Sequence, residues 1–483
     1  MELQKIMSNM ERKTESAESA EIHRLLSDFL AEGIRFYDTL PDMPLKQLPT
    51  EKNCSSLSQM DIPDEGRDVS DVVYEMQEEI YRNILPVQHP RSFVCIPSTM
   101  SLISWMGDVM TNLYNPHASC KANGPAADAI EKKLIRWLCG LAGYPEETCG
   151  GLFVSGGSIA NLTALTAARD AKLSEKERSL AVVYVSDQTH ASVAKGLHII
   201  GFAKDQIRVI PSDAAFSMDM QLLRENVEND KKAGRIPFAV AASAGTTNTG
   251  SVDPLTEIAE LCDTYHLWMH VDGAFGASAL LSDTQREKLK GIERSDSLSW
   301  DAHKWLQQTY GCSMVLVRDQ ENLSRSFFAH PEYLKDATGA EGEIEFWDLG
   351  PELTRPARAL KLWMTLQVLG RDGMASCIDK SCCLAELAEA EIGKLSGWEI
   401  LSPAQFGVLN FRYVPDKTLP DAAVDEIQEK IAETVNKSGY ALLYTTQLKG
   451  KKVLRLCIIN PRTAEADVKN TIALLDKFSH EIC

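Results

Sequence analysis

The sequence predicts an α/β protein: a mostly parallel sheet covered by helices on both faces, preceded by a helical arm and followed by a small α+β unit. Three observations carry this. Between about residues 86 and 375, short β-branched runs alternate with helical stretches; they include "LAVVYVS" (180–186), "FAVAASAG" (238–245), "LWMHVDGA" (267–274) and "CSMVLVR" (312–318). These runs are apolar almost throughout, as expected of strands buried on both faces. The last hundred residues change texture: "WEILSPAQFGVLNFRYVP" and "KKVLRLCIINP" read as strands, "DAAVDEIQEKIAETVNKSG" and "AEADVKNTIALLDKFSHEI" as helices.

Taken in order, residues 1–85 form the arm. "EIHRLLSDFLAEGIRFYDTLP" and "VSDVVYEMQEEIYRNIL" place apolar residues at helical spacing, and "LPTEKNCSSLSQMDIPDEGRD" between them reads as a linker. Too small to build a core, the arm must pack on another surface, such as a second subunit. Residues 86–375 form the large domain. In "PLTEIAELCDTYH" Leu255, Ile258, Leu261, Cys262 and Tyr265 share one helical face, Pro254 suits the first turn, and Asp253 is the expected N-cap. Residues 376–483 form the small domain.

Composition narrows the function. The 483 residues are 44% apolar and 24% charged, as in ordinary globular proteins, with a formal charge of −18. There is no basic face for nucleic acid and no basic amphipathic helix for a membrane surface. The opening "MELQKIMSNMERKTESAESAE" lacks the apolar core of a secretory signal, and no window approaches 18 uninterrupted apolar residues. The 12 cysteines show no zinc-type CxxC spacing, so no metal site is expected. They read as reduced thiols of a cytoplasmic protein.

Polar groups gather where the strands end, which is where such sheets bind ligands. "GGLFVSGGSIANLTALTAAR" passes from strand to helix through Ser155-Gly156-Gly157-Ser158, a turn suited to one phosphate at a helix N-terminus. Neither GxGxxG nor GxxxxGK[ST] is present, which argues against a dinucleotide or a Walker-type nucleotide site. Asp272 ends an apolar run, where a carboxylate needs a cation or several donors. His190 lies past another strand, Thr246 and Thr247 past a fourth, and Lys304 lies in "SLSWDAHKWL" (297–306). Phosphate cradle, carboxylate, imidazole, hydroxyl and lysine together are what pyridoxal phosphate requires: Asp272 for the pyridine nitrogen, His190 to stack on the ring, Lys304 for the aldehyde.

The motifs also carry a resemblance. "HPRSF" (89–93), "GPAADAIEKKLIRWL" (124–138), "FVSGGSIANLTAL" (153–165), "SDQTHASV" (186–193), "GTTNTGSVDPL" (245–255), "HVDGAFGAS" (270–278), "DAHKW" (301–305), "PEYLKD" (331–336) and "LTRPARALKLW" (353–363) resemble the group II pyridoxal-phosphate amino-acid decarboxylases over about residues 60–480. The likeness is greatest to bacterial aromatic-amino-acid decarboxylases, the tryptophan decarboxylases among them. It implies the fold type I (aspartate aminotransferase-like) architecture and a homodimer with active sites at the interface. By the same resemblance, Gly157 and Ser158 hold the phosphate, Thr247 contacts the ring hydroxyl, Ala274 lies beneath the ring, and His303 flanks Lys304. Tyr333 matches the mobile-loop tyrosine that returns a proton to Cα; aldehyde-forming relatives tend to carry phenylalanine there.

The substrate pocket implied by the resemblance comprises Cys95, Ile96, Ser98, His117, Asn123 and Trp347, with His117 reaching in from the partner chain. The expected reaction is decarboxylation of an aromatic L-amino acid to an arylalkylamine. The alternatives are a non-aromatic substrate, or aldehyde synthesis or transamination on the same fold. Arg355 and Arg358 read as structural ion-pair donors, and Arg455 as a residue near the substrate carboxylate.

Overall fold

The computed structural model describes residues 17–45, 57–97, 99–328 and 344–483. Ser98 and Tyr333 lie outside the described residues.

Among the described residues, one sheet has seven strands: β1 (Gly150–Val154), β2 (Ala181–Ser186), β3 (Ile207–Ile210), β4 (Ile236–Ser243), β5 (Trp268–Asp272), β6 (Ser297–Asp301) and β7 (Ser313–Val317). Their spatial order is β1-β7-β6-β5-β4-β2-β3. The pairs β2–β3, β2–β4, β4–β5 and β5–β6 are parallel; β7 runs against both β6 and β1. The predicted mostly parallel sheet is therefore present. Side-chain alternation builds a core on each face: Val182, Tyr184, Val240, Ala242, Leu298 and Trp300 pack on one side, Ala181, Val183, Val185, Ala239 and Ala241 on the other.

The helices around the site are α1 (Ala17–Thr39), α2 (Val69–Glu75), α3 (Leu102–Tyr114), α4 (Pro125–Ala142) and α5 (Gly157–Lys172). α4 opens on Pro125 and ends at Gly143, whose φ of 76° suits the left-handed cap. A later helix, Leu255–Tyr265, lies where the apolar spacing put it, but its cap differs from expectation. Pro254 takes the N-cap position. Asp253 is buried, accepting from the Ser243 and Met218 amides at 2.7 Å each. Two neighbouring backbone amides outcompeted the helix start for this carboxylate.

The second sheet is antiparallel: Trp398–Gln405, Val408–Tyr413, Tyr444–Leu448 and Lys451–Cys457. A helix spanning Ala359–Ile392, interrupted at Gly370 (φ 68°), joins the two cores. Its Leu362, Met374, Ile378 and Cys382 pack in the large core; its Leu384, Ala385, Ala388 and Ile392 pack under the small sheet. The end of the arm is tied down by His89 Nε2 to the Met43 carbonyl (3.1 Å), Arg91 to the Pro41 carbonyl (3.0 Å) and Arg462 to the Tyr37 carbonyl (2.5 Å). Within the described residues no helix is long and apolar enough to cross a membrane, and no three His, Cys, Asp or Glu side chains cluster as a metal site.

Candidate active site

Strands β1, β2, β4, β5 and β6 all end at one edge of the sheet, so the loops that follow them converge there. The first structural fact about this edge is an alternation inside two buried strands. In β6 Leu298 and Trp300 face one core, while Ser297, Ser299 and Asp301 face the other side; in β5 His270 and Asp272 do the same. This polar stripe lies under the first turns of α5, where the Cβ of any residue replacing Gly157 would come within 2.8 Å of Asp301 Oδ2. Glycine is required for helix and strand to approach so closely.

Asp272 is buried and fully engaged. Its Oδ1 accepts from the Ala274 amide (3.1 Å) and the Ser299 hydroxyl (3.2 Å), and its Oδ2 from Asn161 Nδ2 (3.0 Å). Burial alone would raise its pKa. The Lys304 charge, with the hydrogen bonds donated by the Ala274 amide and Asn161, outweighs that and holds it below the usual carboxylate range. His270 is driven the other way, to about 4, mainly by burial, and stays neutral.

Lys304 follows β6 on a tight turn. Its Nζ is 3.0 Å from Asp301 Oδ2, and His303 Nε2 is 3.6 Å from the same oxygen. The other oxygen of Asp301 is buried and has no hydrogen-bond partner among the described residues. His303 is anchored by Ser313 (Nδ1 to Oγ, 3.2 Å) and its pKa is lowered, chiefly by burial. Behind the turn, the rings of Phe275, Trp305 and Phe406 interlock at centroid distances of 4.7 to 6.2 Å. Trp305 also donates to Ser381 (3.1 Å), so the backbone carrying Lys304 is held from below.

Of the remaining core candidates, His190 is tied to this group through Ser192 and Asn161. His190 caps the helix Ala191–Ile199, with Nδ1 2.7 Å from Ser192 Oγ, and Ser192 Oγ accepts from Asn161 at 2.9 Å. Thr247 is exposed on its turn, and its carbonyl accepts from Arg455 (3.2 Å). Arg455 also donates to the Val94 carbonyl (2.9 Å), fixing the strand-end turn beside Cys95 and Ile96. Arg455 thus serves backbone carbonyls. Ile96 is buried in the large core and Cys95 half-buried.

His117, Asn123 and Trp347 form a second set. Asn123 Nδ2 lies 3.3 Å from His117 Nδ1 on one loop, and the Trp347 amide donates to Ser119 of that loop (3.3 Å). The Trp347 indole N–H is buried without a partner among the described residues. Arg355 holds this loop to the sheet: it donates to the carbonyls of Ala118 (2.8 Å) and Phe153 (2.6 Å) and pairs with Glu131 (2.6 Å). Arg358 pairs with Glu352 at 2.7 Å. Both arginines are structural, as expected.

Sequence reading missed Asn161, Ser299 and Asp301. For Ser299 and Asp301 the signal was available in "SLSWD", where polar residues recur at every second position of an otherwise apolar strand.

The site meets the needs of pyridoxal phosphate on its own geometry. α5 starts with no side-chain cap, leaving its first amides to an anion. A buried ionised carboxylate suits a protonated ring nitrogen, and an amine lies on the adjacent strand end.

Comparison with known proteins agrees. Residues 51–414 match the family described as "Pyridoxal-dependent decarboxylase conserved domain". The chain is 40% identical over 422 residues to an aromatic-L-amino-acid decarboxylase of Bacillus atrophaeus, covering 87% of this chain and 88% of that one. It is 30% identical to a phenylacetaldehyde synthase of Arabidopsis thaliana, covering 96% of each. The crystal structure of Catharanthus roseus tryptophan decarboxylase in complex with L-tryptophan superposes with a TM-score of 0.87 at 26% identity, covering 97% of this chain and 99% of that one. That of Oryza sativa TDC with PLP and tryptamine gives 0.90 at 27% identity, with the same coverage.

Proposed function

Because the chain belongs to the pyridoxal-dependent decarboxylase family, we propose that it removes the α-carboxyl of an aromatic L-amino acid as CO2 and releases the arylalkylamine. The observation that carries this is the ionised Asp272 on the strand beside the one that delivers Lys304, both under the uncapped start of α5. When bound, pyridoxal phosphate supplies a conjugated ring that takes up the electron pair left behind by CO2.

Each side chain has a part. The first amides of α5, with Gly157 and Ser158, hold the phosphate. Asp272 would keep a proton at the ring nitrogen, and His190, Ala274 and Thr247 would hold the ring. Lys304 provides the amine that tethers the aldehyde, with His303 beside it. Cys95, Ile96, Ser98, His117, Asn123 and Trp347 would shape the substrate pocket and orient the α-carboxylate that is lost. Tyr333 returns the proton to Cα. The aromatic shell of Phe275, Trp305 and Phe406 keeps water from beneath the turn of Lys304.

The proposal includes a homodimer, supported by the exposed apolar residues of α1 and α3. It includes a cytoplasmic location, supported by ten described cysteines besides Cys95 that form no disulfide. It keeps the division into arm, large domain and small domain at about residues 85 and 375.

Aldehyde synthesis is the second reading, favoured by the full-length likeness to a phenylacetaldehyde synthase. One incubation of the holoenzyme with a panel of amino acids, read by mass spectrometry, separates the cases. Arylalkylamine from tryptophan, phenylalanine or tyrosine is expected. Aldehyde with hydrogen peroxide would establish the second reading, and amine from non-aromatic substrates alone would overturn the aromatic assignment.

A further inference from the structure

The polar stripe under α5 contains a residue with no assigned part. Asn161 is completely buried, one helical turn after Gly157. All of its side-chain hydrogen-bonding capacity in evidence is directed at site residues: Nδ2 donates to Asp272 Oδ2 (3.0 Å) and to Ser192 Oγ (2.9 Å), and Oδ1 faces His270 Nε2 (2.9 Å). The orientation of the amide follows from chemistry. An ionised carboxylate only accepts, so the nitrogen must face Asp272. Oδ1 then accepts a hydrogen bond from His270 Nε2–H, and Nδ1 of the neutral ring accepts from the Ser297 hydroxyl (2.9 Å). Ser297 Oγ in turn accepts from the Trp268 indole N–H (2.8 Å).

On the other side the logic continues. Ser192 Oγ accepts from Asn161, so its own hydrogen goes to His190 Nδ1 (2.7 Å), which the Ser192 amide also approaches at 3.3 Å. His190 therefore carries its hydrogen on Nε2. A chain of hydrogen bonds of one fixed direction runs from Trp268 through Ser297, His270, Asn161 and Ser192 to His190, with Asp272 branching from its centre.

We infer that Asn161 is a positioning residue for the decarboxylation: by one amide it sets the tautomers of both histidines and holds Asp272 as an anion aimed at the cofactor's ring nitrogen. This rests on the pyridoxal-phosphate reading. The groups facing position 161 are Asp272 and His270 from β5, Ser297 and Ser299 from β6, Ser192 and its N-cap His190 from the helix after β2, and Lys304 beyond Asp272.

The test titrates purified apoprotein with pyridoxal phosphate, following visible absorption, for the wild-type chain, Asn161→Leu, Asn161→Asp and Ser192→Ala. Loss of a hydrogen bond to a charged group predicts about tenfold or more weaker cofactor binding in Asn161→Leu. In Asn161→Asp a second carboxylate faces Asp272. Its affinity should fall further as pH rises from 6 to 8 while the wild-type affinity holds, which a purely structural role would not produce. Ser192→Ala cuts only the His190 branch, so it should weaken binding less and broaden the cofactor's absorption band; it also stands in if Asn161→Leu does not fold. Wild-type affinity and flat pH response in Asn161→Asp, together with an unaltered Ser192→Ala, would overturn the inference alone. A wild-type chain that takes up no cofactor would overturn it together with the reading beneath it.

Discussion

Lys304 and Tyr333 make opposite demands on a sequence reader. Lys304 sits on a turn fixed by the backbone of β6, the Asp301 contact and the Trp305 anchor, so its place follows from local structure. Reduction of the holoenzyme with borohydride should add a pyridoxyl group to the peptide carrying Lys304, detected by mass spectrometry, and Lys304→Ala should lose activity by a factor of at least about a thousand. Tyr333 is known from its motif alone. On the proposed reading Tyr333→Phe removes the proton donor to Cα, so amine output should drop by about 10²–10⁴ and, with dioxygen as the oxidant, aldehyde and hydrogen peroxide should rise; an unchanged product ratio would refute that part. The core of the proposed site was legible because Gly157, His190 and Lys304 follow, and Asp272 ends, strands that can be recognised. Asn161 was not, because a buried asparagine in an alanine-rich helix has no local signature: its partners come from strands more than a hundred residues away. Asp253 misled for a similar reason, since its competing amides are non-local.

Whole elements are held to the site by a few buried polar ties, and these set stability. Arg355 and Glu131 are both buried and link α4, β1 and the 117–123 loop. Arg355→Met leaves the Glu131 carboxylate without its cation, so a loss of about 3–5 kcal/mol is expected by urea unfolding, and the double variant with Glu131→Leu should recover much of it. His89 ties the arm to the rest. Its pKa is lowered to about 4, first by burial and then by the Arg91 charge. The imidazole is neutral in the fold but takes a proton near pH 6.5 when unfolded. Stability should therefore be complete above pH 6.5 and decline as pH falls towards 4, by up to about 3 kcal/mol. Unfolding at pH 7.5 and 5 would measure this, and His89→Asn should flatten the difference. The strands and helices of both sheets were mostly readable from apolar period and run length; the strand Tyr444–Leu448 was missed because "YTTQL" is short and has apolar residues only at its two ends.

At the scale of the molecule, the apolar surface of the arm and α3 demands a partner. Ile22, Leu26, Phe29 and Phe36 on α1 and Met106, Val109, Met110, Leu113 and Tyr114 on α3 are exposed, the latter at spacings of three and four that make one helical stripe. A stripe of this kind on a 53.5 kDa chain fits a self-complementary interface related by a two-fold axis. Met110→Asp with Leu113→Asp touches no core residue, so the chain should still fold, while light scattering should show half the mass. His117 lies three residues after the end of α3, on the loop that also bears Asn123, so the same interface would carry His117 into the partner's pocket. That arrangement makes a prediction no single-chain site shares. Lys304→Ala spoils the site of its own chain, whereas His117→Ala spoils the site of its partner. In a mixed dimer both defects fall in one site and the other is intact. Two inactive variants, unfolded and refolded together, should recover about a quarter of wild-type activity from a statistical mixture. If each active site were complete within one chain, every site in every mixture would carry one lesion or the other, and mixing would restore nothing.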